Sequence, residues 1–167
     1  MGKFRLLVAW LPLLAMPIVA DPFLSGPIDY DAGLRAVIYD DLYKLGLGAE
    51  VGAVSGLNPN WDVGLHLNYT HFRPKTESWP AISEYGGYVT AYYLPTLDQD
   101  FSLRLGPHIG YAHVYDSYLD IGGDLMAVFK LNPTTSLYAN FVPSYFLGSN
   151  SQALVRVGLG VHYRTGG

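Results

Sequence analysis

Polar and apolar residues alternate along this chain. In the clearest stretch, residues 61–70, apolar side chains take the odd positions, and polar side chains or glycine take the even ones. Successive side chains of a β-strand point to opposite faces, so a period of two predicts a strand with one apolar face. Alternation of this kind predicts strands over residues 30–40, 44–54, 61–72, 84–94, 101–114, 118–130, 136–146 and 152–164.

Aromatic residues stand at both ends of several apolar faces. The bounding pairs are Trp61 and Tyr69, Tyr93 and Tyr85, and Phe101 and Tyr111. The members of a pair are eight to ten residues apart, which at about 3.3 Å per residue and a strand tilt of about 40° spans roughly 20–25 Å. This height matches the apolar band of a transmembrane β-barrel, whose outer face contacts lipid between two aromatic girdles.

The opposite face of the strands is polar, with many small residues. A soluble ligand-carrying barrel of eight strands needs the reverse arrangement, an apolar interior and a polar exterior. The pattern therefore predicts an all-β fold: an eight-stranded antiparallel up-and-down transmembrane β-barrel. Pro107 and Pro143 fall inside strands on the lipid face. Each removes a ladder donor, so we expect bulges or register breaks there.

The connections between strands give the barrel a direction. The links 55–60, 95–100 and 131–135 are short and share Leu, Pro, Asn or Asp turn chemistry. We place these links, with both termini, on the periplasmic side. The other links are 41–43, 73–83, 115–117 and 147–151, of which only 73–83 is long enough to present a surface of its own.

The N-terminal residues 1–20 are predicted to form a cleaved secretory signal peptide. Lys3 and Arg5 precede an uncharged run, 6–20, which ends in Ala20 at a plausible cleavage site. A membrane-spanning helix is the alternative, but about 20 apolar residues are needed to cross a bilayer and two prolines interrupt this shorter run. The predicted organisation is a signal peptide over 1–20, a short periplasmic leader over 21–29 and an outer-membrane barrel over 30–167.

Charged residues on the inward face form the main candidate site. The cations are Arg35, Arg104, Lys130 and Arg156, and the anions are Glu50, Asp62, Asp120 and Asp124. An eight-stranded barrel is just wide enough for side chains to fill it, and charges withdrawn from water must pair. We therefore predict a lumen charge network that closes the barrel. A narrow ion or proton path is the alternative.

Other reactive residues do not form a recognisable site. His66, His108 and His162 point inward from three strands without ligand spacing, so we predict no metal and no other cofactor. A catalytic alternative, suited to a lipid-modifying enzyme, would use His113, Asp116, Ser117 and Asp120, but Asp and Ser are ordinary turn residues. The chain has no cysteine, and its net charge of −4 gives no basic field for nucleic acid.

The last strand carries a motif. It reads Arg156-x-Gly158-x-x-Val161-x-Tyr163 and resembles the C-terminal sorting signal of bacterial outer-membrane barrels, although this chain continues past the aromatic residue to Gly167. The resemblance implies that Gly158, Val161 and Tyr163 form an insertion signal for the outer-membrane insertion machinery. With the signal peptide, strands and turns, the chain resembles the small eight-stranded outer-membrane barrels of the OmpA and OmpX type.

These observations together predict a monomeric protein of the bacterial outer membrane with a packed polar lumen. Its predicted role is structural or surface-interacting, with outer-membrane lipid and lipopolysaccharide as partners. A narrow porin-like channel is the first alternative, and a lipid-modifying enzyme is the second. We expect no enzymatic activity.

Overall fold

The computed structural model describes residues 27–39, 43, 45–95 and 100–165, and it contains one closed antiparallel barrel. The strands are β1 (Ile28–Ile38), β2 (Gly46–Asn58), β3 (Trp61–Phe72), β4 (Ile82–Tyr93), β5 (Phe101–His113), β6 (Ser117–Lys130), β7 (Thr135–Leu147) and β8 (Gln152–Arg164). Each strand pairs with the next in sequence, and β1 pairs with β8 to close the barrel. Among the described residues, no helix is long and apolar enough to cross a membrane. The predicted signal peptide lies outside the described residues.

The alternation of the sequence becomes the two faces of the barrel wall. In β3, Trp61, Leu65 and Tyr69 are exposed on the outside, whereas Asp62 and His66 are buried inside. The outer residues carry no charge on any strand between the girdles. The predicted fold class, an eight-stranded up-and-down barrel with an apolar exterior, is confirmed.

The strand boundaries differ slightly from those predicted. Strand β1 begins at Ile28, so it includes the last two residues of the predicted leader. Strand β2 continues to Asn58, and its register against β3 shifts between Gly56 and Asn58. After this irregularity, residues 59–60 form the turn that joins β2 to β3. The sequence missed the extension because Gly, Asn and Pro in this segment favour turns.

Aromatic rings pair across neighbouring strands on the outside of the barrel. At one end the ring centroids of Trp61 and Tyr93 lie 5.5 Å apart, and at the other end those of Tyr69 and Tyr85 lie 5.2 Å apart. Directly opposed residues on adjacent strands are close enough for such ring contacts. The predicted girdles are therefore built from cross-strand pairs.

The two prolines interrupt the ladder without changing its register. Pro107 pairs with Gly123 on β6, but the β4–β5 pairing lapses between Thr90↔His108 and Tyr93↔Leu105. The β6–β7 pairing lapses in the same way beside Pro143. The expected bulges or register breaks are absent at both prolines in the described strands. Each proline nitrogen, which carries no hydrogen, instead faces only one neighbouring strand. The strands keep their alignment on both sides of the gap in the ladder.

The interior is layered from one end to the other. We call the end with the 59–60 and 131–134 turns the terminal end, and the opposite one the loop end. An apolar cluster fills the loop end; it comprises Val37, Tyr43, Phe72, Ile82, Ala112, Val114, Tyr118, Phe146 and Leu154, with Tyr39 against it. A second cluster, of Val54, Tyr92, Met126, Val128 and Tyr138, lies towards the terminal end. Buried polar residues occupy the rest of the lumen.

Candidate functional site: the barrel lumen

Two arginines share one carboxylate inside the barrel. Glu84 Oε1 lies 2.9 Å from Arg156 Nη2 and 3.6 Å from Arg35 Nη2. Arg156 Nη2 also lies 2.7 Å from Asp120 Oδ2, and its Nη1 donates to Ser144. All these residues are buried. The guanidiniums therefore link strands on opposite sides of the barrel through paired charges.

A second ion-pair group lies at the terminal end. Arg104 places Nη2 2.9 Å from Asp29 Oδ2 and Nε 3.0 Å from Asp62 Oδ2. Asp29 also accepts two hydrogen bonds from Arg164, at 2.7 and 3.0 Å. Asp29 belongs to β1 and Arg164 to β8, so this group fastens the seam where the barrel closes.

Seven of the eight residues of the predicted charge network lie inside the barrel, and one does not. The structure buries Arg35, Glu50, Asp62, Arg104, Asp120, Asp124 and Arg156 inside the barrel. Lys130 is the exception, because it is exposed at the end of β6 and has no ion pair among the described residues. Alternation assigned its face correctly, but the lumen opens to solvent where the strand ends.

Four charged residues of the lumen were not among the predicted ones. They are Asp29, Asp31, Glu84 and Arg164. Asp31 and Arg35 share one face by alternation, a signal that could have identified Asp31. Asp29 was assigned to the leader, and Glu84 stood at a predicted strand boundary. Their ion-pair partners lie across the barrel, which alternation alone cannot reveal.

Negative charge exceeds positive charge in the described lumen. Seven carboxylates are buried, those of Asp29, Asp31, Glu50, Asp62, Glu84, Asp120 and Asp124, but only three arginines, Arg35, Arg104 and Arg156. Arg164 adds a half-exposed cation at the seam. Charges buried without partners are costly, so the remaining carboxylates need protons, histidine cations or bound cations.

Tyrosines and one histidine fill the middle of the lumen. Tyr88 donates to Glu50 Oε2 at 2.9 Å, and Tyr92 donates to Asp124 Oδ2 at 2.5 Å. The ring of His66 stacks on Tyr88, with centroids 5.0 Å apart, and its Nε2 lies 3.1 Å from the Tyr92 hydroxyl. Asp124 is therefore held by a tyrosine hydroxyl, and among the described residues it has no ion pair with an arginine.

The three inward histidines lie in separate environments. His108 Nε2 lies 3.2 Å from Asp120, and His162 Nε2 lies 3.3 Å from the sulfur of Met126. His66 instead faces Asp31 and Glu50, with Nδ1 3.6 Å and 3.9 Å from their carboxylates. The structure does not bring the histidines to one point. It does bring His66 to two acids, Asp31 and Glu50, that the sequence pattern alone does not connect with it.

The predicted catalytic alternative does not assemble. Ser117 Oγ bonds the Tyr111 hydroxyl at 2.7 Å, and Asp116 accepts from Ser149. Asp120 lies inside the barrel, on the opposite face of β6 from Ser117. His113 and Ser117 are cross-strand partners, but no hydrogen bond joins their side chains.

Two other Ser–His contacts occur among the described residues. Ser144 and Asp120 both contact Nε2 of His108, whereas a catalytic relay needs the acid on the opposite ring nitrogen. On the exterior, Ser83 Oγ lies 3.3 Å from His71 Nδ1, and no described carboxylate bonds this histidine. Neither contact has triad geometry.

The predicted insertion segment lies on the closing strand. Val161 and Tyr163 are exposed on the outer face of β8, and Gly158 is buried on the inner face. Tyr163 pairs with Tyr30 of β1 and Thr135 of β7. The strand continues one residue further to Arg164, which contacts Asp29 at the seam.

One pocket opens at the terminal end of the lumen. It has a volume of about 160 Å³, and its lining includes Asp29, Arg104, Lys130, His162 and Arg164. The loop end is filled by the apolar cluster described above. The described lumen is thus packed with side chains at the loop end and has an open pocket at the terminal end.

No protein-family model and no curated protein matches the sequence. Solved structures do resemble it. Neisserial surface protein A is 12% identical with a TM-score of 0.65, and the match covers 83% of this chain and 96% of that one. OprG of Pseudomonas aeruginosa is also 12% identical, with a TM-score of 0.63 and coverage of 86% and 98%. Ail of Yersinia pestis is 19% identical, with a TM-score of 0.57 and coverage of 84% and 99%.

These similarities establish the fold. The chain has the architecture of the small eight-stranded outer-membrane barrels, as its resemblance to the OmpA and OmpX type implied. The predicted location in the bacterial outer membrane agrees with these neighbours and with the apolar exterior. The matched structures are named as surface, attachment or outer-membrane proteins.

Proposed function

We propose that this protein is a closed outer-membrane barrel with a structural or surface-interacting role, and not a channel. The observation that carries the proposal is the filling of the lumen. The apolar cluster occupies the loop end, the Arg35–Glu84–Arg156 group lies inside the barrel, and the tyrosine-rich second cluster lies towards the terminal end.

Both kinds of filling oppose ion flow. The rings of Tyr118 and Phe146 stack 5.5 Å apart within the loop-end cluster, so the described side chains at that end are mostly apolar and offer an ion few ligands. In the polar part, arginines and carboxylates are bound to one another, so a passing ion would have to break buried pairs. Eight strands leave little space beyond that which side chains fill.

The exterior supports an interaction role. Residues 75–81, between β3 and β4, are exposed and include Lys75, Glu77 and Trp79. With the termini in the periplasm, this loop would face the outside of the cell, beside lipopolysaccharide. Gly158, Val161 and Tyr163 would direct insertion of the barrel. A lipid-modifying activity is not part of the proposal, because the described Ser–His contacts lack a carboxylate on the opposite ring nitrogen.

Planar-bilayer recording tests the closed lumen directly. The unmodified protein should give no steady current. Replacing Arg35, Arg104 and Arg156 together by Ser removes side-chain volume and leaves carboxylates unpaired, so small cation-selective currents should appear. Arg73→Ser, in the exposed loop, is the matched control and should leave the bilayer silent.

Large steady currents from the unmodified protein would contradict the proposal and favour the channel. A silent triple variant that still folds would show that the loop-end cluster closes the barrel without the ion pairs. Folding of each variant can be checked by the shift in electrophoretic mobility between heated and unheated samples.

A further inference from the structure

Three ligand-type side chains meet on neighbouring strands of the lumen. Asp31 of β1, Glu50 of β2 and His66 of β3 each offer one ligand atom, and these atoms lie within 4.8 Å of one another. His66 Nδ1 is 3.6 Å from Asp31 Oδ1 and 3.9 Å from Glu50 Oε1. Tetrahedral bonds of about 2.0–2.1 Å hold ligand atoms about 3.4 Å apart, so small side-chain shifts suffice.

Two of these groups have no hydrogen bond towards the cluster. Neither carboxylate oxygen of Asp31 has a hydrogen-bond partner, and neither does Nδ1 of His66. Asp31 is 4% exposed and His66 is 0% exposed. Buried polar atoms are normally satisfied, so unpartnered ligand-type atoms that converge on one point make this cluster a candidate ligand site.

The surroundings determine which nitrogen of His66 carries a proton. The Tyr92 hydroxyl has one proton and lies 2.5 Å from Asp124 Oδ2, so it donates there. It then accepts from His66 Nε2 at 3.1 Å. A neutral His66 with its proton on Nε2 directs the lone pair of Nδ1 at two carboxylates. That arrangement is repulsive unless a positive charge lies between them.

Glu50 is also held in place by groups outside the cluster. Its Oε2 accepts from Tyr88 and, at 3.5 Å, from Arg35 Nη1, and its Oε1 accepts from Asn140 at 3.1 Å, which leaves a lone pair of Oε1 for the cluster. Metal-binding histidines and carboxylates characteristically have such outer partners, which fix their orientation. The Asp124–Tyr92–His66 chain and the Tyr88–Glu50–Asn140 contacts have this form.

We propose that Asp31, Glu50 and His66 bind a divalent transition-metal ion of the Zn²⁺ type inside the barrel. One imidazole with two carboxylates suits a borderline dication better than Ca²⁺ or Mg²⁺, which prefer oxygen ligands alone. The ion would also offset part of the excess negative charge among the described lumen residues.

Gly52 provides the room that an ion needs. It lies between two of the ligands in the sheet, paired with Asp31 on one side and His66 on the other. A Cβ atom at this position would be 2.6 Å from His66 Nδ1 and 2.7 Å from Asp31 Oδ1. A side chain at Gly52 would therefore enter the proposed site.

Zinc binding to untagged protein, purified from membranes in detergent and treated with a chelator, tests the proposal. Isothermal titration with Zn²⁺ should give one ion per barrel. Asp31→Asn and His66→Gln should abolish binding, and Tyr92→Phe should weaken it about 10- to 100-fold by removing an outer partner of His66. His162→Gln, at another buried lumen histidine outside the cluster, is the matched control and should bind as the unmodified protein does.

Measurements on the unmodified protein keep the test independent of variant folding. Zinc-edge X-ray absorption should show one imidazole together with oxygen ligands, and bound Co²⁺ should give the visible absorption of a low-symmetry site. Gly52→Ala, which removes no ligand, should lower the affinity at least tenfold. A folded unmodified barrel that binds no Zn²⁺ would overturn the proposal and assign the positive charge to a proton on His66. Undiminished binding by His66→Gln would overturn it as well.

Discussion

Glu84 is the carboxylate on which two buried arginines converge. Glu84→Gln keeps the shape of the side chain but removes the anion that Arg35 and Arg156 share, which leaves Arg35 with Glu50 and Arg156 with Asp120. Breaking a buried ion pair from one side costs about 3–5 kcal/mol. We expect a loss of this size in the free energy of unfolding, measured by urea titration in lipid vesicles.

The control for this substitution lies in the exposed loop. Glu77→Gln makes the same chemical change at a side chain that is open to solvent. Exposed ion pairs contribute little, so its unfolding free energy should stay within about 0.5 kcal/mol of the unmodified value. Equal effects at Glu84 and Glu77 would mean that the lumen is as wet as the surface.

Depth in the membrane should control the cost of an outward charge. Val89 lies midway between Tyr85 and Tyr93 on β4, so Val89→Arg places a cation near the bilayer midplane. The expected cost is about 2–4 kcal/mol, again from unfolding in lipid vesicles. Leu57→Arg, at the terminal end, should cost about 0–1 kcal/mol. Val89 is 44% exposed and Leu57 46%, so exposure alone cannot account for the difference.

At the scale of single residues, the sequence reveals faces better than partners. Alternation along one strand assigned Arg104 and Asp62 correctly to the inside. It could not show that Arg104 of β5 reaches Asp29 of β1, because that contact depends on the barrel diameter and on the relative heights of distant strands. The Asp31–Glu50–His66 cluster escaped for a related reason, since it depends on the register of three strands.

At the scale of the strand, β8 carries the predicted insertion signal. Tyr163→Ser removes its exposed aromatic residue and should lower the amount of assembled barrel in outer-membrane fractions. Tyr145→Ser is the matched control, because Tyr145 is also an outward, exposed tyrosine, on β7. Equal assembly of the two variants would remove the proposed role of Tyr163.

The structure changes what a truncation of β8 should do. An insertion signal that ended at Tyr163 would make the following residues dispensable. In the barrel, however, Arg164 bonds Asp29, and Thr165 donates to the carbonyl of Ile28. Removal of residues 164–167 would therefore break seam contacts as well as change the end of the insertion segment. Tyr163→Ser is the cleaner test of insertion.

Strand positions were predictable because the period of two extends through each strand. The strand ends were not, because some terminal strand residues are of types that favour turns. Gly56 and Asn58 suggested a loop, yet they extend β2 by way of a register shift. Pro107 and Pro143 suggested bulges, yet the strands tolerate them by leaving one side of the ladder unpaired.

For the whole molecule, closure predicts a monomer. Every described strand has two neighbours, so the barrel offers no free edge for pairing with another chain. Analytical ultracentrifugation in density-matched detergent should give the mass of one 18.4 kDa chain, less any cleaved signal peptide. Deletion of residues 152–167 would expose the edges of β1 and β7, and this variant should self-associate. A stable dimer of the unmodified protein would contradict the prediction.

The seam between β1 and β8 also has a kinetic consequence. Asp29 and Arg164 are 135 residues apart, whereas the other neighbouring strands are joined by short links. Closing so long a chain segment costs about 2 kcal/mol more entropy than closing one of ten residues. We therefore expect Arg164→Ala to speed unfolding, in stopped-flow experiments with lipid vesicles, and to leave the folding rate nearly unchanged. If the fall in the folding rate instead accounted for the whole loss in the free energy of unfolding, the seam would already be formed in the transition state. Sequence separation, more than bond strength, then makes this seam the last part of the barrel to form and the first to open.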